Sequence, residues 1–386
     1  MLKGKFPVER FASMRTPFYY YDICLLRKTL DTIGAQLSQN PDFRVHYAVK
    51  ANANPGILSE IAAHGLGADC VSGGEIKAAY AAGFRPSSIV YAGVGKSDEE
   101  IETALAIGIS RFNVESEAEL LVLDEIAGKM GRKAQISFRV NPDVGAHTHA
   151  NITTGLAENK FGINYEMLEP IMRKAQTLKN IEYRGLHFHI GSQILDMSDF
   201  VALCNRINSL YESLTKAGFN VGDINVGGGL GINYEHPNHF PIPDFASYFA
   251  TFRDHLKLPQ GTLVHFELGR SVVAQCGTLI TKVLYVKEGT KKKFAIVDGS
   301  MTELIRPALY KAYHRIENIT SDEPEQVYDV VGPVCESSDV FLKETSLDAC
   351  RRGDLLAIRS AGAYGEAMAS QYNCRPLPPC FLDRGE

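Results

Sequence analysis

The feature that most constrains this chain is a pattern that recurs between residues 45 and 267, in which a short β-rich run is followed by a stretch of helix formers. Alternation of this kind is typical of parallel strands joined by crossover helices. Eight such units close a (β/α)8 TIM barrel, and the count favours this fold over a doubly wound open sheet. The predicted strands are Val45–Val49, Ala68–Val71, Ile89–Ala92, Arg111–Val114, Gln135–Val140, Gly185–Ile190, Asp223–Val226 and Leu263–Glu267.

The rest of the chain has a different pattern. After about residue 275 the β-rich runs are no longer separated by regular helices, which predicts an antiparallel β domain. Near the start, Phe18–Tyr21 predicts a strand that could pair into this domain, and a helix begins near Asp22. We therefore expect a barrel at residues 25–275 and a discontinuous β domain at residues 1–24 and 276–386. The later β-rich runs are Thr278–Val286, Lys293–Val297, Gln326–Val331 and Leu355–Arg359.

Charge and composition exclude some functions. The formal net charge is −5, without a long run of one sign, which argues against nucleic acid or an anionic membrane surface as a partner. The opening run MLKGKFP lacks the apolar core of a signal peptide, and no apolar stretch is long enough to span a bilayer. The eight cysteines are scattered and form no Cys-x-x-Cys pair, which predicts reduced thiols in the cytoplasm.

Lys50 lies at the end of the first predicted strand, in the run HYAVKAN (46–52). A lysine in this position forms Schiff bases when burial lowers its pKa and leaves the amine neutral. Taken alone, a lysine at a strand end more often extends into solvent. The functional interpretation of Lys50 therefore depends on what the other strand ends carry.

The other predicted strand ends are rich in polar residues, and barrel enzymes take their catalytic groups from such positions. The glycine run Gly227–Gly231 follows the seventh strand, where barrels commonly bind phosphate through backbone N–H groups. A tight turn without a ligand is the alternative interpretation of that run. The remaining strand ends carry Asp69 with Glu75 beyond it, Arg139 and Asn141, His187, His189 and Ser192, and Glu267 with Arg270.

A lysine that forms an imine and a phosphate site together indicate pyridoxal 5'-phosphate. This cofactor needs a carboxylate beside its ring nitrogen, because the carboxylate keeps the nitrogen protonated and the ring a strong electron sink. Glu267 is the candidate for this carboxylate. His189 is the candidate for an imidazole that stacks on the ring, although a histidine buried for packing is the simpler interpretation of the residue alone.

His187 and His189 also form a His-x-His pair, as in metal-dependent hydrolases with barrel folds. Such sites need further ligands at other strand ends, usually histidine and aspartate. The other histidines do not cluster at strand ends, and two of them, His147 and His149, fall in a polar loop. We therefore expect no metal site.

Seven strings resemble those of the fold-type III pyridoxal-phosphate decarboxylases, in the same order and over nearly the whole chain. They are most similar to the branch that converts meso-2,6-diaminopimelate to L-lysine and CO2, the last step of lysine biosynthesis. The resemblance implies an alanine-racemase-like barrel, a β domain, and a homodimer that shares its active sites. The strings are HYAVKAN (46–52), HFHIGSQ (187–193), GGGLG (227–231), ELGRS (267–271), DGSMTELIRPALY (298–310), GPVCESSDVF (332–341) and GAYGEAMASQYN (362–373).

The resemblance implies cofactor-binding roles for matching residues. Lys50 would carry pyridoxal phosphate as a Schiff base, His189 would stack on the ring, and Glu267 would pair with the ring nitrogen. The residues that would support the lysine or lie near the cofactor and its phosphate are Asp69, Glu75, Ser192, Gly228, Gly229, Gly269, Arg270 and Tyr364.

The resemblance also implies how the substrate is held. Cys335 would protonate the substrate carbon after CO2 leaves, and Glu336 would bind the distal ammonium, both from the partner subunit. An ornithine-type decarboxylase needs only an acid for a distal amine, so Arg306 distinguishes a substrate that also has a far carboxylate. The residues that would bind and orient this carboxylate are Arg270, Arg306, Tyr310 and Tyr364.

Two segments depart from the family pattern. Leu268 replaces the usual proline after the glutamate, and we expect it to loosen the turn without removing a functional group. Residues 374–386 match less well, and no role is assigned to them.

Three other functions are open to a chain with these strings. It could act on carboxynorspermidine, ornithine or arginine, it could be an amino-acid racemase, or it could be a non-catalytic homologue. Cys335 and Glu336 argue against the racemase, and the presence of both Lys50 and Cys335 argues against a protein without activity.

Overall fold

The computed structural model describes residues 3–142 and 160–385. Sixteen strands lie in these ranges, and all eight strands predicted for the barrel are among them. The strands are β1 (Phe18–Asp22), β2 (Phe43–Ala48), β3 (Gly67–Cys70), β4 (Ile89–Tyr91), β5 (Arg111–Val114), β6 (Ala134–Arg139), β7 (Ile181–His187), β8 (Asp223–Asn225), β9 (Val264–Leu268), β10 (Gly277–Glu288), β11 (Lys293–Val297), β12 (Ile316–Asn318), β13 (Glu325–Val331), β14 (Val340–Asp348), β15 (Leu355–Ile358) and β16 (Cys380–Asp383).

Helices follow most of the barrel strands. None of the helices within the described ranges has both the length and the apolarity that a membrane crossing requires. The helices are α1 (Val8–Ala12), α2 (Ile23–Gln39), α3 (Pro55–Ala63), α4 (Gly73–Ala81), α5 (Asp98–Ile107), α6 (Glu117–Lys129), α7 (Tyr165–Thr177), α8 (Met197–Lys216), α9 (Phe245–His255), α10 (Arg270–Val273) and α11 (Arg306–Tyr310).

Serine caps explain where three consecutive barrel helices begin. Before α4, α5 and α6 a serine hydroxyl accepts the backbone N–H of the glutamate three residues on, which satisfies one of the N–H groups left unpaired at a helix start. The carboxylates also lie at the positive end of each helix dipole, where they are favourable. The pairs are Ser72 with Glu75, Ser97 with Glu100, and Ser116 with Glu119.

Strands β2 to β9 form a closed barrel in which each strand pairs in parallel with the next and β9 pairs with β2. Ala48 lies beside Asp69 in this register, and His46 lies beside Glu267. The polar residues at the ends of neighbouring strands are therefore brought to one end of the barrel, as the sequence predicts. The predicted (β/α)8 fold is confirmed.

The barrel also contains a buried polar network on strands β2, β5, β8 and β9. Arg111 donates to Asp223 at 3.0 Å, and Nε2 of His265 lies 3.5 Å from the same carboxylate. Nδ1 of His265 lies 2.9 Å from Nε2 of His46. Burial lowers the pKa of His46 to about 3, so its ring is neutral. In this network each charged group has a partner of opposite charge or a neutral ring.

The second unit is built on an eight-stranded sheet in the order β12-β15-β10-β11-β13-β14, and β1 pairs with both β10 and β16. Most pairs are antiparallel, as predicted, while β11 with β13 and β1 with β16 are parallel. The apolar core under this sheet contains Phe11, Phe18, Tyr20, Ile280, Leu355 and Ala357.

The compact units differ from the predicted domain ranges. Residues 232–243 lie within the predicted barrel in sequence but belong to the β unit, which also begins again at Arg270. Hydrogen bonds explain this placement, because the Gln275 amide donates to two carbonyls of the segment and Asn238 bonds to Glu317. The units are Leu30–Gly231 with Asp244–Gly269, and Met1–Thr29 with Ile232–Pro243 and Arg270–Glu386.

Candidate active site

Lys50 lies in the 3-10 turn Val49–Ala51 that ends strand β2. Its Nζ is 3.5 Å from Oδ2 of Asp69, at the adjacent position on β3. The Lys50 side chain is 43% exposed, so the expectation that its amine is buried is wrong. Asp69, its partner, is buried instead.

The buried carboxyl of Asp69 is easily protonated. Burial raises its pKa to about 8, with a further contribution from the charge of Glu267, and the Lys50 ammonium opposes the shift. Oδ1 of Asp69 has no hydrogen-bond partner among the described residues. This carboxyl group can therefore gain or lose a proton near neutral pH beside the lysine.

Glu75 accepts a hydrogen bond from the backbone N–H of Val71 at 2.8 Å, at the start of α4. Burial raises its pKa, against the effects of this hydrogen bond and of Lys50. In the structure Glu75 thus holds the loop after β3, and support of the lysine remains a prediction.

Glu267 is a fully hydrogen-bonded carboxylate inside the barrel. Oε1 accepts from Asn225 at 2.7 Å and from Asn113 at 3.3 Å, and Oε2 is 2.9 Å from Nε2 of His187. Burial alone would raise its pKa, but His187, Lys50 and the hydrogen bonds hold the pKa below its usual value. Glu267 is therefore ionised, and donors from three other strands fix its position.

His187 and His189 have different partners. His187 pairs with Glu267, whereas Nδ1 of His189 accepts from the Gly228 N–H at 3.3 Å. Burial lowers the pKa of His189 well below its ordinary value, and the charges of Arg139 and Lys50 add to the effect. His189 is a neutral ring with its proton on Nε2, since Nδ1 is the acceptor.

The described residues contain no cluster of three or more potential metal ligands. His187 is hydrogen-bonded to Glu267 and His189 to the glycine loop, so the two histidines are not directed at one common ligand. His147 and His149 lie outside the described residues.

The glycine run forms a close backbone turn after β8. A Cβ on Gly227 would meet the Phe188 carbonyl, and a Cβ on Gly228 would meet the Glu267 carbonyl, so both positions admit only glycine without a shift. Gly227 and Gly229 also have positive φ angles of 73° and 113°. The N–H groups of Gly227 and Gly228 are paired within the protein, with Oδ1 of Asn225 at 2.9 Å and Nδ1 of His189 at 3.3 Å, so phosphate binding by this turn stays a prediction.

Two other predicted cofactor residues lie next to this turn or to the lysine. Ser192 precedes Ile194, whose N–H donates to the Gly229 carbonyl at 2.9 Å and ties the two loops together. Gly269 lies against the lysine turn, because a Cβ there would be 3.1 Å from the Cβ atoms of Ala48 and Ala51.

Leu268 lies within the sheet, and the expectation that it loosens the turn stays a prediction. It is the last residue of β9, it is buried, and it pairs with Tyr47 in the sheet. Unlike a proline, Leu268 has a backbone N–H that is available for strand pairing.

In the β unit, the structure brings together the four residues predicted to bind a carboxylate. Arg270 donates to the Tyr234 hydroxyl at 2.6 Å and lies 5.0 Å from the ring centre of Tyr364. Arg306 is 5.5 Å from the Tyr234 ring centre and 5.9 Å from that of Tyr364. Tyr310 lies close enough to both guanidinium groups to contribute to their pKa values.

Arg306 is 6% exposed, yet no carboxylate lies within ion-pair distance of it anywhere in the described ranges. Its hydrogen bond within this part of the chain goes from Nε to Nε2 of His314, at 3.3 Å. Burial lowers the pKa of Arg306, as does the nearby charge of Arg270. A buried guanidinium without an anion is costly, so this group of residues suits a negatively charged ligand.

Cys335 and Glu336 lie on an exposed loop of the same unit. Glu336 accepts a hydrogen bond from the Tyr372 hydroxyl at 2.8 Å. The buried carboxylate of Asp339 organises the loop, since it accepts from the N–H groups of Val334 at 2.8 Å and Met301 at 2.7 Å. A thiol and a carboxylate are thus held side by side at the surface of the β unit.

Comparison with known proteins identifies the family. The profile described as "Pyridoxal-dependent decarboxylase, pyridoxal binding domain" matches residues 26–274. This chain belongs to the pyridoxal-dependent decarboxylase family. It is 61% identical to the diaminopimelate decarboxylase of Bacteroides thetaiotaomicron over 98% of both chains, and 44% identical to that of Aquifex aeolicus over 94% of this chain and 85% of the relative.

Solved structures of the family agree with the fold. The diaminopimelate decarboxylase of Helicobacter pylori complexed with L-lysine superposes with a TM-score of 0.90 and 41% identity, covering 98% of this chain and 94% of that one. The similarity therefore extends over both units of this pyridoxal-dependent decarboxylase.

The barrel residues fit pyridoxal phosphate. The lysine turn offers an amine beside a buried carboxyl, and Oδ1 of Asp69 is a buried acceptor that needs a donor. Neighbouring carbonyls approach the turn at Gly227–Gly229 so closely that no Cβ fits, and the turn follows the seventh barrel strand, where barrels commonly bind phosphate. The ionised Glu267 matches a protonated ring nitrogen, and the neutral His189 matches an uncharged stacking partner.

Sequence reasoning missed several residues of the decarboxylase site. Asn113 and Asn225 lie at strand ends, so the rule that selected Glu267 could have found them. Tyr234, His314 and Tyr372 lie away from the ends of the barrel strands, so that rule gives no signal for them.

Proposed function

We propose that this chain decarboxylates meso-2,6-diaminopimelate to L-lysine and CO2 with pyridoxal 5'-phosphate, the last step of lysine biosynthesis. The observation that carries the choice of substrate is the buried Arg306, which has no carboxylate beside it among the described residues, since ornithine has no far carboxylate to place there. The similarity to the diaminopimelate decarboxylases of Bacteroides thetaiotaomicron and Aquifex aeolicus supports the same choice.

The barrel residues would bind and orient the cofactor. When bound, pyridoxal phosphate supplies an electron sink for the bond that loses CO2. Lys50 would hold it covalently, with Asp69 taking or giving a proton beside Nζ. Glu267 would keep the ring nitrogen protonated and His189 would face the ring. Ser192, Gly228, Gly229, Gly269 and Arg270 would lie near the cofactor or its phosphate, and Glu75 would support the loop after β3.

The β-unit residues would recognise the substrate. Arg306 and Arg270 would bind the far carboxylate, with the hydroxyl groups of Tyr310 and Tyr364 as further donors. Glu336 would accept the distal ammonium. The Cys335 thiol would hold the proton at Sγ that is given to the substrate carbon after CO2 leaves.

We further propose a homodimer in which Cys335 and Glu336 serve the partner's barrel. Their exposed loop and the exposed apolar side chains of Leu309, Tyr372 and Leu377 in the same unit support an interface there. The eight cysteines form no disulfide, which supports a reducing compartment such as the cytoplasm.

The test is CO2 release by the purified protein with added pyridoxal phosphate. Meso-diaminopimelate is compared with ornithine, arginine and carboxynorspermidine, and Lys50→Ala serves as the control without activity. Turnover of diaminopimelate alone is expected. Faster turnover of ornithine or arginine would reject the proposed substrate while leaving the cofactor chemistry intact.

Mixed subunits test the shared site. Lys50→Ala and Cys335→Ala are each expected to be inactive, and a mixture allowed to exchange subunits is expected to regain part of the activity, because one of the two sites is then intact. A mixture that stays inactive while the subunits do exchange would contradict the sharing of sites.

A further inference from the structure

His314 is buried at the centre of the β unit and contacts Arg306, but it belongs to none of the motifs. We propose that His314 is a positioning residue for substrate recognition, which fixes the guanidinium of Arg306 for the far carboxylate of the substrate. The inference rests on the proposed function, because it concerns the same carboxylate.

The hydrogen bonds of His314 define its tautomer. A carbonyl can only accept and an arginine Nε–H can only donate. Nδ1 is 2.9 Å from the Arg359 carbonyl, so it carries the proton, and Nε2 is the acceptor 3.3 Å from Nε of Arg306. Burial lowers the pKa of His314 to about 3, with a contribution from Arg306, so the ring is neutral at ordinary pH.

The position of the ring is itself fixed. The backbone of Arg359 continues the pairing of β15 with β12 and donates to the Arg315 carbonyl at 2.8 Å. The side chain of Arg359 donates to Glu317 at 2.9 Å and to Asn238 at 2.7 Å. The carbonyl that holds His314 therefore cannot move without breaking the sheet edge and a buried ion pair. The edge of the Tyr234 ring packs against the imidazole, with the ring centres 5.2 Å apart.

A neutral acceptor has an advantage over a carboxylate at this position. A long arginine side chain loses rotational freedom when it binds a ligand, and a group that orients it beforehand removes part of that cost. A carboxylate would also orient Arg306, but it would neutralise the charge that the substrate needs. His314 occupies Nε and leaves both Nη groups of Arg306 without an acceptor among the residues that the structure describes.

Two substitutions distinguish the two hydrogen bonds of the His314 ring. His314→Asn keeps a donor at the position of Nδ1 and loses the acceptor, while His314→Gln places an amide oxygen near the position of Nε2. His239→Asn is the matched control, since His239 is exposed and stacks only on His236. The holoenzymes are compared by kcat and KM for meso-diaminopimelate and by inhibition constants for L-lysine and for 1,5-diaminopentane, which lacks a carboxylate.

We expect KM and the lysine inhibition constant of His314→Asn to rise roughly tenfold, the size of one lost hydrogen bond to a charged group. Its kcat and its inhibition by 1,5-diaminopentane should be unchanged. His314→Gln should recover most of the loss, and His239→Asn should match the unaltered protein.

Equal weakening of lysine and diaminopentane, or a fall in kcat with unchanged KM, would show a merely structural role and overturn the inference. Lysine that binds the unaltered protein no better than diaminopentane would overturn it as well. If the unaltered protein fails to use diaminopimelate but lysine alone is weakened in His314→Asn, the proposed function fails and the role of His314 stands.

Discussion

Two buried charges, one in each unit, are held in opposite ways. Glu267 in the barrel receives hydrogen bonds from Asn113 and Asn225 and pairs with His187. Arg306 in the β unit has a neutral imidazole as its acceptor and no carboxylate within ion-pair distance among the described residues. The protein itself stabilises the first charge, whereas the second is only oriented.

This difference follows from the physics of burial. A charge removed from water is costly unless it is paired or hydrogen-bonded. Hydrogen bonds compensate the desolvation cost of the ionised Glu267, so this residue stays charged, as a fixed electrostatic group must. Arg306 keeps part of its desolvation cost until an anion arrives, and that cost makes the anion bind more tightly. Substitutions at the two sites test whether Glu267 acts as a fixed charge and Arg306 as an anion-binding group.

The largest effect is expected for Glu267→Gln. The amide has no charge with which to keep a ring nitrogen protonated, so kcat should fall by at least about 100-fold, as when a preorganised electrostatic group is removed. KM should change little, because Glu267 lies in the barrel set and not with the carboxylate-binding residues. Steady-state decarboxylation kinetics check this.

Glu182→Gln is the matched control for that substitution. Glu182 lies on β7, half exposed, and pairs with Arg184 at the surface. It should leave kcat unchanged, since exposed ion pairs contribute little. An active Glu267→Gln enzyme with normal kcat would remove Glu267 from the mechanism.

Arg306→Ala is expected to have the next largest effect and the opposite kinetic signature. Loss of a buried guanidinium that binds a carboxylate should lower kcat/KM for diaminopimelate roughly 50-fold, mainly through KM. The same kinetics on Arg351→Ala, an exposed arginine paired with Glu323, provide the control. Near-normal kcat/KM in Arg306→Ala would sink the assignment of the carboxylate site.

Asp69→Asn tests the raised pKa of Asp69, a buried carboxyl that lacks hydrogen-bond donors like those around Glu267. The pKa of Asp69 is raised to about 8, above the roughly 3.9 of an unfolded chain, so the folded protein binds the proton more tightly. Ionisation of Asp69 therefore destabilises the folded protein. This destabilisation is absent below pH 4, grows as the pH rises from 4 to 8, and is then constant. The Tm gained by Asp69→Asn in the cofactor-free chain should rise across that window, by about 5 °C. A constant difference in Tm from pH 5 to pH 8 would contradict the raised pKa.

Tyr372→Phe should have the smallest effect. The hydroxyl donates to Glu336 at an exposed position, so its loss should raise KM for diaminopimelate only about threefold and leave kcat unchanged. Tyr285→Phe, another exposed tyrosine of the β unit, is the control. A change in kcat alone would mean that the hydroxyl acts on Cys335 instead of Glu336.

The fold and half of the site could be predicted because both depend on local patterns. Most barrel strands are short β-rich runs, and the end of a strand determines where Lys50, Glu267 and the glycine run lie. The strand β16 was missed because the proline-rich segment before it resembles a loop and its pairing with β1 spans most of the chain.

Burial and distant partners were harder to infer. The exposure of Lys50 was misjudged because a strand end does not specify how the side chain leaves the turn. The contact of His314 with Arg306 joins a loop to the first residue of α11, and their approach depends on the β12–β15 pairing and on Arg359, which no periodicity encodes.

The central place of β1 in the second sheet has a consequence for synthesis on the ribosome. The hydroxyl of Tyr20 in β1 donates to Asp383, the last residue of β16, 363 residues later. At ordinary rates of translation this separation takes about 20 to 70 s. For most of that time the aromatic run Phe18–Tyr21 has been made while neither strand that covers its edges exists, and one edge stays uncovered after β10 is complete, so the nascent chain needs protection from association there until β16 emerges.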